Sequence, residues 1–199
     1  MDMREARAMV KAMRSTQTKA PEGLADAVLA GVGLVDSWTE IDGPIGPLYV
    51  AWSETTGITA AERAGDPIGF ESEYELRHGC PLRRVAEMPA RMLAQVEKRF
   101  RGERSDGPPL DLDTLTEFER AVLLKTMEIP YGEIRPYSWV AREIGRPRAV
   151  RAVGSALAGN PITFVIPCHR VVRADGRIGN YGAGGPEAKR EVLELEGLD

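Results

Sequence analysis

Apolar positions recur along this chain with changing rhythms. Met3, Ala6, Val10 and Met13 stand at helical spacing, which predicts an extension helix over residues 1–14 before Gly and Pro loosen the pattern as far as Gly33. From Val35 to Ala64 the chain is rich in β-branched and aromatic residues broken by Gly-Pro punctuation, which predicts an antiparallel meander. Helical spacing returns in "PARMLAQVEKRFR" (89–101), with Pro near the start, Leu93, Val96 and Phe100 apolar, and Gly102 as the stop. The composition of "GERSDGPPLDLD" then reads as a linker, with a boundary near Pro108.

The second half changes character. "TLTEFERAVLLKTMEI" (114–129) opens with a capping-box pattern, Thr116 with Glu119, ahead of Val122, Leu123 and Met127. Two short helices follow over 136–145 and 147–159, joined by a turn containing Gly145, the outline of a helix-turn-helix whose second helix enters a DNA groove. Ala149, Ala152, Gly154, Ala156 and Ala158 make that second helix narrow, while Arg148 and Arg151 give it cationic arms.

Composition narrows the class. With 43% hydrophobic and 28% charged residues the 199-residue chain reads as globular, long enough for one large domain or two small ones. No apolar run approaches the roughly 20 residues of a membrane helix, and the N-terminus lacks a signal-peptide core. The expectation is a soluble, cytoplasmic protein with no membrane partner. Cys80 and Cys168 make no disulfide framework, and His78 with Cys80 is too meagre for zinc, so neither metal nor cofactor is expected. The net charge of −4 is unevenly spread: Arg135 to Arg177 holds eight arginines against Glu143 and Asp175, or +6, leaving −10 for the remainder. A basic stripe on an acidic protein can hold a phosphate backbone.

One stretch concentrates scarce chemistry. "PITFVIPCHRVV" sets one of two cysteines beside one of two histidines. A thiolate is a nucleophile, an imidazole can take its proton, and a carboxylate can orient the imidazole. Adjacent residues on a strand face opposite ways, so Cys168 and His169 cooperate only if the backbone turns between them, which Pro167 favours. The carboxylate candidate is Glu196, ending a helix begun at Pro186 and stopped by Gly197.

The string from Arg151 to Gly185 resembles the methylated-DNA–protein-cysteine methyltransferases, or O6-alkylguanine-DNA alkyltransferases. Their Pro-Cys-His-Arg-Val signature reads here at Pro167–Val171, preceded by Arg-Ala-Val-Gly (Arg151–Gly154) and by Asn160-Pro161. The likeness runs over Pro109 to Gly197 and extends more weakly into the N-terminal half. It implies an α/β fold: an N-terminal extension (1–30), a ribonuclease-H-like domain (31–108), and a mostly helical, winged-helix-like domain (109–199) for DNA binding and alkyl transfer. The implied roles are Arg151 replacing an extruded base, with Arg148, Ala149, Ala152, Gly154 and Ser155 lining the DNA. Tyr137 helps to rotate the base and hydrogen-bonds its oxygen, and Asn160 ties the helix-turn-helix to the active-site segment. Pro161, Thr163, Tyr181 and the loop Gly182, Ala183 and Gly184 bound the base pocket, and the carbonyls of Cys168 and Val171 accept from the guanine amine.

The implied reaction is one irreversible transfer of an alkyl group from O6 of guanine, less well from O4 of thymine, to Cys168, after base flipping from double-stranded DNA. The implied protein is a monomer that acts once. Human-type members carry a proline where this chain has Thr163, and the "NYGAGG" lid is one residue longer than the commoner spacing; both bear on substrate range. Rival readings are an alkyltransferase-like protein that binds lesions without repairing them, which Cys168 opposes, a Cys-His-Glu hydrolase, and a transcription regulator, whose metal-binding cysteine cluster is missing from the sequence.

Overall fold

The computed structural model describes residues 24–31, 33–103 and 106–198. The predicted helix over 1–14 lies outside them. After α1 (Leu24–Gly31), the predicted meander forms as β1 (Asp36–Gly43), β2 (Gly46–Ser53) and β3 (Gly57–Arg63), each antiparallel to the next. A short β4 (Leu82–Arg84) runs parallel to β1, so the sheet is mixed, in the order β3-β2-β1-β4. β2 is buried on both faces, which is why its apolar residues run nearly unbroken.

Alternation sorts those side chains. Trp38, Tyr49, Ala51 and Ala60 meet Phe70 and Tyr74 of α2 (Pro67–His78), a helix that Asp66 caps by accepting from the backbone of Ile68 and Gly69. Leu48, Val50, Trp52, Ile58 and Ala61 belong instead to a larger core that takes in Val96 of α3 (Ala90–Phe100) and most of the buried apolar residues of the C-terminal half.

The predicted capping box closes on α4 (Glu117–Met127): the Thr116 hydroxyl accepts from the Glu119 amide, and the Glu119 carboxylate from the Thr116 amide at 3.0 Å. α5 (Tyr137–Glu143) and α6 (Val150–Ala158) are the two short helices. Gly145 between them sits at φ 70, a left-handed conformation that costs a side chain about 1 kcal/mol or more. α6 begins later than the pattern predicted. Arg146, Pro147 and Arg148 form a turn closed by the Ala149 amide on the Arg146 carbonyl at 2.8 Å, so Arg148 and Ala149 precede the helix.

The stretch between α6 and α7 (Gly185–Leu195) is irregular and almost wholly buried from Asn160 to Val172. It is held on one side by β6 (Val171–Val172), parallel to β5 (Arg135–Pro136). On the other side it reaches β3: the Ala61 amide donates to the Pro161 carbonyl at 2.9 Å and the Thr163 amide to the Ala61 carbonyl at 2.8 Å. Arg99 of α3 adds a third tie, donating to the carbonyls of Val165 and Met127.

Candidate active site and DNA interface

Cys168 opens a 3-10 turn, Cys168–Arg170, that starts at Pro167. The backbone thus turns where the sequence required it to, and the sulfur and the neighbouring imidazole are freed from opposite faces of a strand. Both are buried, at 4% and 2% exposure. Asn160, directly after α6, donates through its amide to Cys168 Sγ at 3.1 Å and to the Ile166 carbonyl at 3.2 Å, while its oxygen accepts from the Ile162 amide. One asparagine therefore fixes the end of the helix-turn-helix, the buried segment and the sulfur together.

His169 Nε2 lies 2.8 Å from Glu196 Oε1. An ionised carboxylate can only accept, so Nε2 carries the hydrogen and the neutral ring keeps its lone pair on Nδ1. Nδ1 is buried and has no hydrogen-bond partner among the described residues. Burial outweighs the pull of Glu196 and holds the imidazole below its usual range, so it is neutral and able to accept a proton at neutral pH. Glu196 follows α7 as its C-terminal cap. Burial pushes its carboxyl up, but hydrogen bonds from His169 and Arg170, with the Arg170 charge behind them, win and leave it at about 2. Cys168 is pushed above the ordinary thiol range by burial, against the Asn160 hydrogen bond, the charge of Lys189 and the amides of Cys168 and His169. The resting thiol keeps its proton, with Asn160 as its hydrogen-bond partner.

Two members of this arrangement were hidden from sequence reasoning. Arg170, counted there in the basic stripe, turns inward instead: its guanidinium holds both oxygens of Glu196 and donates to the Ile129 carbonyl at 2.7 Å. Lys189 of α7 is 1% exposed and donates to the Val171 carbonyl at 2.6 Å. That carbonyl, expected to await a guanine amine, is thus engaged by an ammonium. The signal available was helical spacing, since Lys189 shares a face with the buried Val192 and stands seven residues before Glu196.

Of the expected pocket residues, Tyr181 packs against the same turn. Tyr181 is buried edge-on to Phe164 and His169, at 6.2 and 6.4 Å between ring centres. Phe164 holds a left-handed backbone at φ 67, the one non-glycine among the described residues to do so. Ala183 is buried and Pro161 lies within the buried segment, whereas Gly182 and Gly184 are exposed. Thr163, expected to alter the pocket wall, gives its hydroxyl to the Ala61 carbonyl at 2.7 Å and so joins the sheet. Tyr137 starts α5, and a side chain at Gly179 would collide with its hydroxyl, which explains a glycine at that position. A cavity of about 500 Å³ opens behind the relay, where His169, Arg170 and Glu196 meet Tyr131 and Phe164.

On the outer side of α6, Arg151, Ala152, Ser155 and Ala158 are exposed, Gly154 is half-buried, and Val153, Ala156 and Leu157 face the core. Arg142, Arg146, Arg148, Arg173 and Arg177 are also exposed. Arg148 and Arg151 make no side-chain hydrogen bond or ion pair with the described residues. No side chain caps the start of α6. Among the described residues, no group of His, Cys, Asp and Glu could hold a metal ion, and no helix is long and apolar enough to cross a membrane.

A buried cysteine, a neutral imidazole backed by a carboxylate, and a cationic helix-turn-helix joined to them by one asparagine define a class: nucleic-acid-facing proteins that carry their own nucleophile. Residues 117–198 match the family described as 6-O-methylguanine DNA methyltransferase, DNA binding domain. A methylated-DNA–protein-cysteine methyltransferase of Mycobacterium leprae is 36% identical over 164 residues, 78% of this chain and 89% of the relative. The Mycobacterium tuberculosis OGT crystallised in complex with DNA superposes with a TM-score of 0.62 at 34% identity, over 81% of this chain and 92% of that one. An O6-methylguanine-DNA methyltransferase from Pyrococcus kodakaraensis gives 0.60 at 26% identity, over 82% and 99%. This chain belongs to the methylated-DNA–protein-cysteine methyltransferase family.

Proposed function

We propose that the protein repairs alkylated DNA directly, moving the alkyl group from O6 of a flipped guanine in duplex DNA, and less well from O4 of thymine, to Sγ of Cys168. The observation that carries this reading is the buried Cys168 thiol, held by Asn160 at the foot of the helix-turn-helix, beside an imidazole with an open Nδ1 and an ionised Glu196 behind it. In the step, the thiol proton passes through a bridging water to His169 Nδ1, the sulfur forms a bond to the alkyl carbon, and the carbon–O6 bond breaks with its electron pair on guanine. The Tyr137 hydroxyl quenches that charge as a donor, and the proton taken up by His169 makes good the one it gives. The product is a thioether, from which sulfur has no easy return, so each molecule acts once.

The DNA is held by the exposed arginines and by the free start of α6, where unpaired amides favour a phosphate. The narrow face of Ala149, Ala152 and Gly154 approaches the minor groove with Arg148 and Ser155 beside it, and Arg151 fills the space that the base leaves. Pro161, Thr163, Tyr181, Gly182, Ala183 and Gly184 enclose the flipped base. In this reading residues 31–108 are a ribonuclease-H-like part, 109–199 a winged-helix-like DNA-binding and transfer part, and the molecule works as an intracellular monomer. Intact mass after incubation with excess duplex containing O6-methylguanine tests it: the protein gains one methyl group, on the peptide containing "VIPCHR", and then stops. Continued turnover, or the methyl group on Cys80, overturns it.

A further inference from the structure

β4 accompanies β1 only as far as Trp38, which pairs with Arg84. Beyond that point the rest of β1, the residues after β4 and one face of α3 enclose a groove of about 350 Å³. Part of its lining is apolar: Met88 is buried, Ile41 and Leu93 are half-buried, and Ala86 and Ala90 lie exposed beside them. The rest is acidic, with Glu40, Asp42, Glu87 and Glu97, and no lysine or arginine among the described residues lines it. Glu97 has Arg101 at 3.5 Å. Glu40, Asp42 and Glu87 make no ion pair or side-chain hydrogen bond among the described residues.

Carboxylates gathered round an apolar strip repel one another, while the strip favours contact with something other than water. An occupant that suits both is apolar along one line and cationic beside it. The first fourteen residues have that pattern: Met3, Ala6, Val10 and Met13 are followed in turn by Arg4, Arg7, Lys11 and Arg14. In the helix that this spacing predicts, each cation stands about 100° round from the apolar residue before it, so stripe and cations share one side. Four cations against Asp2 and Glu5 leave residues 1–14 at +2, opposite in sign to the groove. Neither alkyl transfer nor the DNA interface uses this segment. Residues 15–23, which join it to α1, reach about 30 Å when extended, more than the length of β1 at about 26 Å.

We propose that residues 1–14 dock in this groove of their own chain. Met3, Ala6, Val10 and Met13 lie toward Ile41, Met88 and Leu93, and the cations toward Glu40, Asp42 and Glu87. The extension then braces β1 against α3 and offsets part of the acidic charge there. Docking also takes its cations away from DNA, so that the basic stripe of the C-terminal half faces the duplex alone.

The test treats the dilute full chain with a water-soluble carbodiimide, which joins an amine to a carboxylate in direct contact, and identifies the linked peptides by mass. The expected product is Lys11 joined to Glu40, Asp42 or Glu87 within a single chain. Two charge reversals accompany it, Glu40→Lys with Glu87→Lys and Arg7→Glu with Lys11→Glu. Each pair should lower the thermal midpoint by about 2–4 °C, and all four changes together should recover most of the loss, because the attraction is restored with its signs exchanged. Absence of Lys11 links to these three carboxylates overturns the proposal. Links confined to species of twice the mass also overturn it, since they seat the segment on a second copy, as do midpoint losses that simply add in the fourfold variant. An unchanged midpoint in Arg7→Glu with Lys11→Glu overturns it too: a lessened salt dependence of duplex binding would then assign the segment to DNA phosphate, and lost sedimentation with anionic lipid vesicles to a membrane surface.

Discussion

Glu196 concentrates the electrostatics of the site, and its carboxyl at about 2 ties the fold to pH. A carboxyl held below its unfolded value near 4.5 contributes stability that is complete above that value and is lost as pH falls toward 2. The thermal midpoint should therefore fall between pH 4.5 and 2, and Glu196→Gln should flatten that fall while lowering the midpoint at neutral pH, since Arg170 is left buried without its counter-ion. A midpoint with the same acid profile in both proteins would show the carboxylate to be a bystander. Thr163 makes a second prediction at this scale. Proline there would remove both the amide and the hydroxyl that reach the Ala61 carbonyl, and Thr163→Pro should cost about 1–3 kcal/mol in chemical denaturation, whereas Thr163→Ser, which keeps both donors, should cost less. Equal costs would remove the two hydrogen bonds from the account.

Among the elements, α6 does two jobs with two faces, and Arg151 separates them. If its guanidinium fills the gap left by an extruded base, Arg151→Ala should react slowly with O6-methylguanine in duplex DNA and at near parent rate with the free base, which needs no flipping. A phosphate contact would instead weaken binding and lessen its salt dependence, with an unchanged rate at saturating DNA. Single-turnover rates on both substrates decide. The elements themselves were largely legible in the sequence, because their signals are local. The capping box of α4, the stop after α3, the Gly145 turn and the meander each depend on residues within a few positions of one another. α6 starts three residues later than the pattern predicts, since Pro147, Arg148 and Ala149 carry no signal against a helix except a proline that helices also accept in their first turn. Cys168, His169 and Glu196 were legible from their order and from the resemblance. The inward turn of Arg170 and the burial of Lys189 were not, because each is decided by partners 26 and 18 residues away. A charge in a helical sequence looks alike whether it meets water or a carbonyl.

For the whole molecule, the seam between β3 and the active-site segment has a consequence for the life of the chain outside its native state. With the order β3-β2-β1-β4, only the outer strands could pair with a stranger. β4 is three residues long and carries Arg83 and Arg84, features that discourage addition of another strand. β3 is longer, begins Gly57-Ile58-Thr59-Ala60-Ala61, and has no comparable charge until Glu62; its guard is the distant stretch around Pro161–Thr163 at one end and Leu110 at the other. Residues 31–108 produced alone would carry that border bare. We expect such a fragment to self-associate in a concentration-dependent way, seen by light scattering, and Ala61→Lys to suppress it by placing a charge on the border. A monodisperse, folded fragment would contradict this. The same contacts that steady the nucleophile in the finished protein thus act as a safeguard against aggregation, and a chain halted before residue 161 during synthesis would have to wait without it.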